Sequence, residues 1–380
     1  MIPFNVPALL GNEQKYLGEA LANRRLSGDG PFCRRAEKLL EETMGVKRAL
    51  LTTSCTHALE MSAFLLDIQP GDEVIVPSFT FVSTVNAFAI RGATVVFADV
   101  RPDTLNLDEQ KLEALITPRT RAIVPVHYAG VGCEMDAILA VAGPRGIAVI
   151  EENAHGLYGT YRGRQLGTFG ALSTQSFHET KNFTCGEGGA LLVNDTAALP
   201  HAPLALRAEI LREKGTNRAQ FFRGQVDKYT WVSLGSSYVL SDVLGALLLG
   251  QLEARTTIQE RRRRIWDRYA AEIADWAASQ GATLPTVPAH CEQAFHMFYL
   301  LLPDLQRRTA FIEHLKKQEI GAVFHYVPLH LSPMGLRFGG KAGDCPITES
   351  VSDRLVRLPF YTDLSESDQS RVIAAVTAFR

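Results

Sequence analysis

Paired cysteines are missing from this 380-residue chain. Its six cysteines stand apart at positions 33, 55, 133, 185, 291 and 345, and no two have the spacing of a zinc site or a redox motif. Reduced thiols in a cytoplasmic protein account for them most simply. An excess of either charge is also missing: 39 lysines and arginines stand against 41 aspartates and glutamates, a net −2. That balance gives no general attraction to nucleic acid or to an anionic membrane, so neither is expected as a partner. Long apolar runs are absent too. The stretch from Val243 to Leu249 is among the longest, far short of the ~20 residues that cross a bilayer. The opening Met1-Ile-Pro-Phe-Asn-Val-Pro7 has no basic segment followed by an apolar core, so no signal peptide is expected. Nor is a metal expected. His325 and His330 form an i,i+5 pair with Pro328 between them, a poor ligand spacing, and structural or substrate-contacting roles suit them better.

What is present is an alternation. Hydrophobic residues make up 46% of the chain and charged ones 21%, ordinary for a globular protein, and the length suggests two domains. Residues 1–30 read as an arm with helical spacing over Glu13–Asn23, and Cys33–Met44 reads as an amphipathic helix. β-Rich runs then follow at Arg48–Thr53, Glu73–Pro77, Thr94–Ala98, Arg121–Val126, Ile147–Glu151, Leu172–Phe177 and Gly189–Asn194. Several are continuous Val/Ile/Leu runs, as expected of strands buried on both faces. Helical segments separate most of them, for example Ala58–Asp67, Thr84–Arg91, Leu107–Ile116 and Met135–Ala142. The pattern predicts an α/β fold with a mostly parallel, seven-stranded, doubly wound sheet.

From Pro203 onward the pattern changes. A helix is expected over Leu204–Lys214, then a polar, aromatic-rich loop from Gly215 to Trp231, long enough to be functional or interfacial. A single long helix is expected from about Ser241 to Ala274, its Arg261–Arg264 run read as a solvated face. Residues from about 281 read as a smaller α+β domain with strands Phe298–Leu302 and Ala322–Tyr326 and a helix over Thr309–Gln318. The expected division is residues 1–250, arm and large α/β domain, and residues 251–380, linking helix and small C-terminal domain.

Ligands of such sheets bind beyond the carboxyl ends of the strands. The first strand ends in Thr53-Ser-Cys-Thr-His57, directly before a helix. That turn is either a plain N-cap by Ser54 or Thr56 or a phosphate site built on free N–H groups. The second ends in Pro77-Ser-Phe-Thr-Phe-Val-Ser-Thr84, which puts Phe79 or Phe81 at the rim as core or as a stacking wall. The fifth runs into Glu151-Glu-Asn-Ala-His155, and strand alternation turns the two carboxylates to opposite sides. Lys181 follows the sixth. A buried lysine there is depressed in pKa and nucleophilic toward carbonyls, whereas a solvated loop lysine is neither. A phosphate turn, an aromatic wall, an acid, a histidine and a lysine together are the complement that pyridoxal phosphate requires.

Ser54-Cys-Thr-His-Ala-Leu59, Pro77–Thr84, Val149-Ile-Glu-Glu-Asn-Ala-His155, Ser176-Phe-His-Glu-Thr-Lys181 and Gly186-Glu-Gly-Gly189 resemble the DegT/DnrJ/EryC1/StrS sugar aminotransferases, fold-type I pyridoxal phosphate enzymes. The resemblance runs nearly end to end. Glu213-Lys-Gly-Thr-Asn-Arg218, Phe221–Trp231, Gly235-Ser-Ser-Tyr238, Val124–Gly130 and Phe324–His330 are similar to the subgroup that aminates C4 of TDP-4-keto-6-deoxy-D-glucose from L-glutamate. This likeness implies TDP-4-amino-4,6-dideoxy-D-galactose as product, for surface polysaccharide.

It also implies roles. Lys181 would hold the cofactor covalently and move the proton, Glu152 would pair with the ring nitrogen, and His155 would sit near the ring hydroxyl. Phe81 would stack on the ring, while Ser54, Cys55, Thr56 and Ser176 would hold the phosphate. Ser237 would reach the cofactor from the other subunit of a homodimer, and His325 and Tyr326 would contact substrate. The family usually has aspartate at the position of Glu152; Ser237 matches the C4-aminating subgroup. Alternatives are amination at C3 or to another epimer, or a non-catalytic cofactor-binding regulator or partner subunit. The related dehydratases replace the lysine by histidine, and Lys181 argues against them.

Overall fold

The computed structural model describes residues 1–194 and 204–380; Pro203, where the sequence pattern changes, lies outside them. The sheet strands form where the continuous apolar runs predict: β1 (Arg48–Thr52), β2 (Glu73–Pro77), β3 (Thr94–Ala98), β4 (Thr120–Ile123) and β5 (Ala148–Glu152). A two-strand excursion, β6 (Thr160–Tyr161) and β7 (Arg164–Gln165), precedes β8 (Leu172–Ser176) and β9 (Gly189–Val193). The seven long strands lie in the order β1-β9-β8-β5-β4-β2-β3. Only β9 is antiparallel to its neighbours, β1 and β8; the remaining pairs are parallel. The sheet is therefore mostly parallel, and its strands are buried on both faces.

Helices cover each face. Cys55–Leu65 brings Ala58, Leu59 and Met61 onto Leu50, Val74, Ile150 and Leu191. On the opposite face Pro31–Met44 and Asp242–Glu253 pack Cys33, Leu40 and Leu248 against Leu51 and Leu192. Met135–Ala142 covers Ile75, Ile123 and Val149.

The helix expected over 241–274 is two helices, Asp242–Glu253 and Arg255–Ser279, broken at Ala254 (φ −83°, ψ 8°). The two halves bury apolar faces in different clusters. Leu248, Leu249 and Leu252 join the large-domain cluster, and Ile265, Tyr269 and Ile273 join Phe298, Phe311 and Val372 beyond it. One straight stripe does not serve both cores. Between the clusters lies Ile258, still packed on the large domain, and Ile2 from the N-terminal arm packs in the small one.

The small domain builds on β11 (Tyr299–Leu301) paired antiparallel with β12 (Leu355–Arg357), after a short β10 (Cys291–Glu292), with helices Leu305–Lys317 and Glu366–Ala378. Residues 322–326 are not the expected strand. They make a single bridge, Val323 to Arg357, and then leave the sheet because Tyr326 is left-handed (φ 50°) and Pro328 follows.

The arginine run is not uniformly solvated. Arg261, Arg263 and Arg264 are exposed, but Arg262 is buried and donates to the carbonyls of Phe295 and His296 and to the Thr362 hydroxyl. Its guanidinium also lies 4.7 Å from the Phe360 ring centroid. A single helical position thus ties the linking helix to the segment 295–296.

Candidate active site

One cavity of about 810 Å³ opens beyond the carboxyl ends of the parallel strands. The strand-end residues Ser54, Cys55, Thr56, Phe81, Glu152, His155, Ser176 and Lys181 all line it, joined from the small domain by His325 and Tyr326.

The floor is the start of the helix Cys55–Leu65. Ser54 is its N-cap, its hydroxyl accepting from the His57 N–H at 3.1 Å. The two readings of this turn are compatible, because capping uses the third N–H and leaves those of Cys55 and Thr56 at the open end. The Thr56 hydroxyl donates to Ser83 at 2.8 Å. Gly189 on β9 comes so close behind that an added Cβ would sit 2.4 Å from the Cys55 nitrogen, so only glycine lets β9 pass there. The aromatic choice resolves clearly. Phe79 is buried against Tyr128 and Tyr326, and Phe81 is 56% exposed on the cavity rim.

The two carboxylates of β5 do diverge. Glu151 points away from the cavity, fully buried, where His127 Nε2 donates at 2.9 Å and the N–H groups of Gly167, Phe169 and Gly170 donate at 2.7 Å each. Glu152 faces the cavity and accepts from the Ala154 N–H at 2.9 Å. Burial pushes the Glu152 carboxyl up, opposed by the nearby charge of Lys181. The Glu151 anchor predicts a structural cost. Glu151→Ala strands three N–H groups and an imidazole, and about 3–5 kcal/mol of stability should be lost. A denaturant titration whose midpoint scarcely moves would contradict this account.

Lys181 sits in the loop between β8 and β9. That loop is closed on itself by Phe177 N–H to the Gly188 carbonyl (2.8 Å), Glu179 N–H to Gly186 (2.8 Å) and Cys185 N–H to Phe177 (3.0 Å), with Gly186 left-handed at φ 87°. The next residue, Asn182, donates to the Ala294 carbonyl at 2.6 Å and meets His296 Nδ1 at 2.9 Å, which fastens the loop to the small domain. Burial lowers the Lys181 amine below the usual lysine range, and Glu152 opposes that shift. The lysine is therefore the partly desolvated kind rather than a solvated loop residue.

Imidazoles form the inner wall. His155 stacks on His296 with centroids 4.1 Å apart at 15°, and its buried Nδ1 has no hydrogen-bond partner among the described residues. His325 Nδ1 meets the Tyr128 hydroxyl at 2.7 Å and stacks on Tyr326 at 3.6 Å. Burial holds His155, His296 and His325 well below the usual histidine value. His330, by contrast, is a structural residue, buried between Ser78 (2.6 Å) and Glu349 (3.0 Å). Ser237 is exposed and does not line the cavity of its own chain.

Residues 8–377 match the profile described as the DegT/DnrJ/EryC1/StrS aminotransferase family. The chain belongs to this family. Over 99% of its length it is 36% identical to 96% of the spore coat polysaccharide biosynthesis protein SpsC of Bacillus subtilis. The putative sugar aminotransferase Spr1654 from Streptococcus pneumoniae in its PMP-form superposes with a TM-score of 0.92 at 26% identity, covering 100% of this chain and 99% of that one. The aminotransferase TlmJ from Streptoalloteichus hindustanus gives 0.89 at 30% identity, covering 100% and 98%. Membership makes this chain a sugar aminotransferase, and the family, with Spr1654 also solved in a PLP-form, gives pyridoxal phosphate as its cofactor. The cavity fits that group. It offers N–H groups and hydroxyls at a helix start, a carboxylate, an amine, an exposed phenyl ring and an unpartnered imidazole nitrogen.

His296, Met297 and Arg357 are among the lining residues that sequence reasoning missed. His296 and Met297 belong to a segment with no motif of its own, and Arg357 precedes an unremarkable Leu-Pro at the end of β12. Among the described residues no cluster of three or more His, Cys, Asp or Glu is placed to hold a metal, and no helix is long and apolar enough to cross a membrane.

Proposed function

We propose that this enzyme takes the amino group of L-glutamate and places it on C4 of TDP-4-keto-6-deoxy-D-glucose, giving TDP-4-amino-4,6-dideoxy-D-galactose for surface polysaccharide. The observation that carries the chemistry is the meeting of Lys181 and Glu152, from two separate strand ends, on one cavity with a helix start at its floor. The choice of sugar is supported by the stretches Glu213–Arg218, Phe221–Trp231 and Gly235–Tyr238, and a polysaccharide role by the name of the SpsC relative.

Bound pyridoxal phosphate supplies an electron sink. The chain's own groups would do the rest. Cys55 and Thr56 N–H groups, with the hydroxyls of Ser54, Thr56 and Ser176, would take the phosphate. Glu152 would keep the ring nitrogen protonated, Phe81 would cover a ring face, and His155 would accept or donate at the ring hydroxyl. Lys181 would hold the aldehyde and, when freed by the amino donor, carry a proton on its Nζ. His325 and Tyr326 would contact the sugar from the small-domain side.

The depressed Lys181 amine sets a pH signature. Only the neutral amine attacks a carbonyl, so capture of added pyridoxal phosphate by the cofactor-free protein should accelerate as pH rises. Its inflection should lie below the ~10.4 of an ordinary lysine. Glu152 favours the charged amine, so neutralising it should move the inflection lower still. Stopped-flow absorbance reads both, and an inflection at or above that of a free lysine refutes the environment described.

We further infer a homodimer. Phe222, Trp231 and Leu234 are 68%, 72% and 68% exposed on the 215–236 segment, an apolar face that a lone subunit leaves in water. Ser237 lies beside it and off its own cavity, which supports a role for it toward a second copy. Sedimentation of a monomer at micromolar concentration would end that inference.

The function is tested by incubating the holoenzyme with L-glutamate and the C4 ketosugar, with a C3 ketosugar in parallel, and solving the product by NMR. An axial C4 amine is expected. A C3 amine, or bleaching of the cofactor by glutamate with neither aminosugar formed, overturns the choice of sugar. No spectral response to glutamate overturns the enzyme reading and leaves a cofactor-binding regulator.

A further inference from the structure

Arg357 closes β12 and turns its side chain to the cavity that Lys181 and Glu152 share. Its guanidinium is under-used. Nη2 donates to the Phe324 carbonyl at 3.3 Å, the group lies 4.7 Å from the Phe4 ring centroid, and Nε is buried without a hydrogen-bond partner among the described residues. No carboxylate among the described residues forms an ion pair with it. The two fully buried arginines differ in their terminal nitrogens, although Arg212 Nε too is without a hydrogen-bond partner among the described residues. Arg262 is tied by the carbonyls of Phe295 and His296, and Arg212 is paired with Glu37 and Asp29 at 2.6 Å each. A guanidinium offers five N–H donors in a planar fork, and a partly buried cation with most of them unspent is costly unless an anion joins it in the working protein.

The imidazoles of the inner wall do not supply a cation for that anion. His155, His296 and His325 are held neutral by burial. The charge of Lys181 acts on Glu152, and the outlying Glu187 is 69% exposed and lies 3.6 Å from His178. The charge of Arg357 also helps lower the Lys181 amine, after burial, which puts the spare cation within electrostatic reach of that amine.

We propose that Arg357 is the carboxylate anchor for the amino donor, its fork pairing with a carboxylate of L-glutamate while the donor's amino group is presented toward Lys181. The proposal rests on the aminotransferase reading above. The same oxyanion chemistry is carried by the diphosphate of the nucleotide sugar, and the two half-reactions separate these sources.

The test uses holoenzyme, Arg357→Gln and Arg357→Lys. Bleaching of the cofactor absorbance is titrated with glutamate, and the aminated form of each protein, loaded with pyridoxamine phosphate, is titrated with the ketosugar. For R357Q the half-saturating glutamate concentration should rise ~10- to 100-fold, as for loss of charge-assisted hydrogen bonds. R357K should recover part of it, and the cofactor spectrum and the ketosugar half-reaction should be unchanged. Unchanged glutamate saturation in R357Q overturns the proposal, and so does a loss confined to the ketosugar step, which would give the arginine to the diphosphate. If R357Q does not fold, R357K equal to the parent in both titrations overturns it. Should the parent not respond to glutamate at all, the functional reading fails separately. Calorimetric binding of 2-oxoglutarate to parent and R357K then still decides the arginine, with equal affinity overturning it.

Discussion

Replacing Lys181 by alanine should abolish amino transfer, with turnover falling by ~10⁴-fold or more, since in the proposed reaction one side chain would be both nucleophile and proton carrier. The fold should survive. Among the described residues no side-chain hydrogen bond or close ion pair of Lys181 holds the structure together, and the loop that carries it is closed by backbone bonds among Phe177, Glu179, Cys185, Gly186 and Gly188. Cofactor should still enter, because the helix start at Cys55 and Thr56 and the carboxylate of Glu152 do not depend on the lysine, but borohydride should no longer fix it to the chain. Partial rescue by a small added amine would isolate the missing group as an amine rather than a packing element. Turnover within ten-fold of the parent would remove Lys181 from the centre of the reaction.

Neutralising Glu152 should be the next most damaging change. In Glu152→Gln the side chain keeps its volume and an oxygen for the Ala154 N–H, so the strand end stays in place. What is lost is the negative charge that the proposed reaction sets beside the ring nitrogen, and preorganised charge of this kind is worth ~10²- to 10³-fold in rate. The loss should be concentrated in the glutamate half-reaction, with cofactor still bound. Glu152→Asp should lose less than the glutamine variant, because charge survives while reach shortens by a methylene. A glutamine variant as fast as the parent would show that the ring nitrogen is served by another group.

The sheet was legible because its strands are buried on both faces and so spell continuous Val/Ile/Leu runs, as in Glu73–Pro77 and Ala148–Glu152. The strand ends were legible for the same reason: once the strands are placed, polar residues at their carboxyl ends fall on one rim, and the opposed directions of Glu151 and Glu152 follow from pleating alone. Other features depended on tertiary packing. Nothing local marks Ala254 as a break, which arises only because two clusters claim the two halves of the helix. Arg262 and Arg357 are two of 39 basic residues, and no neighbour in sequence separates them from solvated ones. The former falls within a run whose charge predicts a solvated face. The segment 322–326 has strand composition, yet a left-handed tyrosine takes it out of the sheet and into the cavity wall.

The order of strands has a consequence for how the protein is made. Among the described residues β1, the first strand synthesised, has β9, the last, as its only partner in the sheet. Until β9 emerges, β1 has no ladder to join, and the turn Thr53–Thr56 at its end has no fixed position. The site is thus assembled by the most distant pairing in the sheet, the slow kind of contact. A nascent chain stopped before Gly189 should carry an open, apolar strand edge, bind no cofactor and depend on chaperones, whatever the quality of its earlier strands.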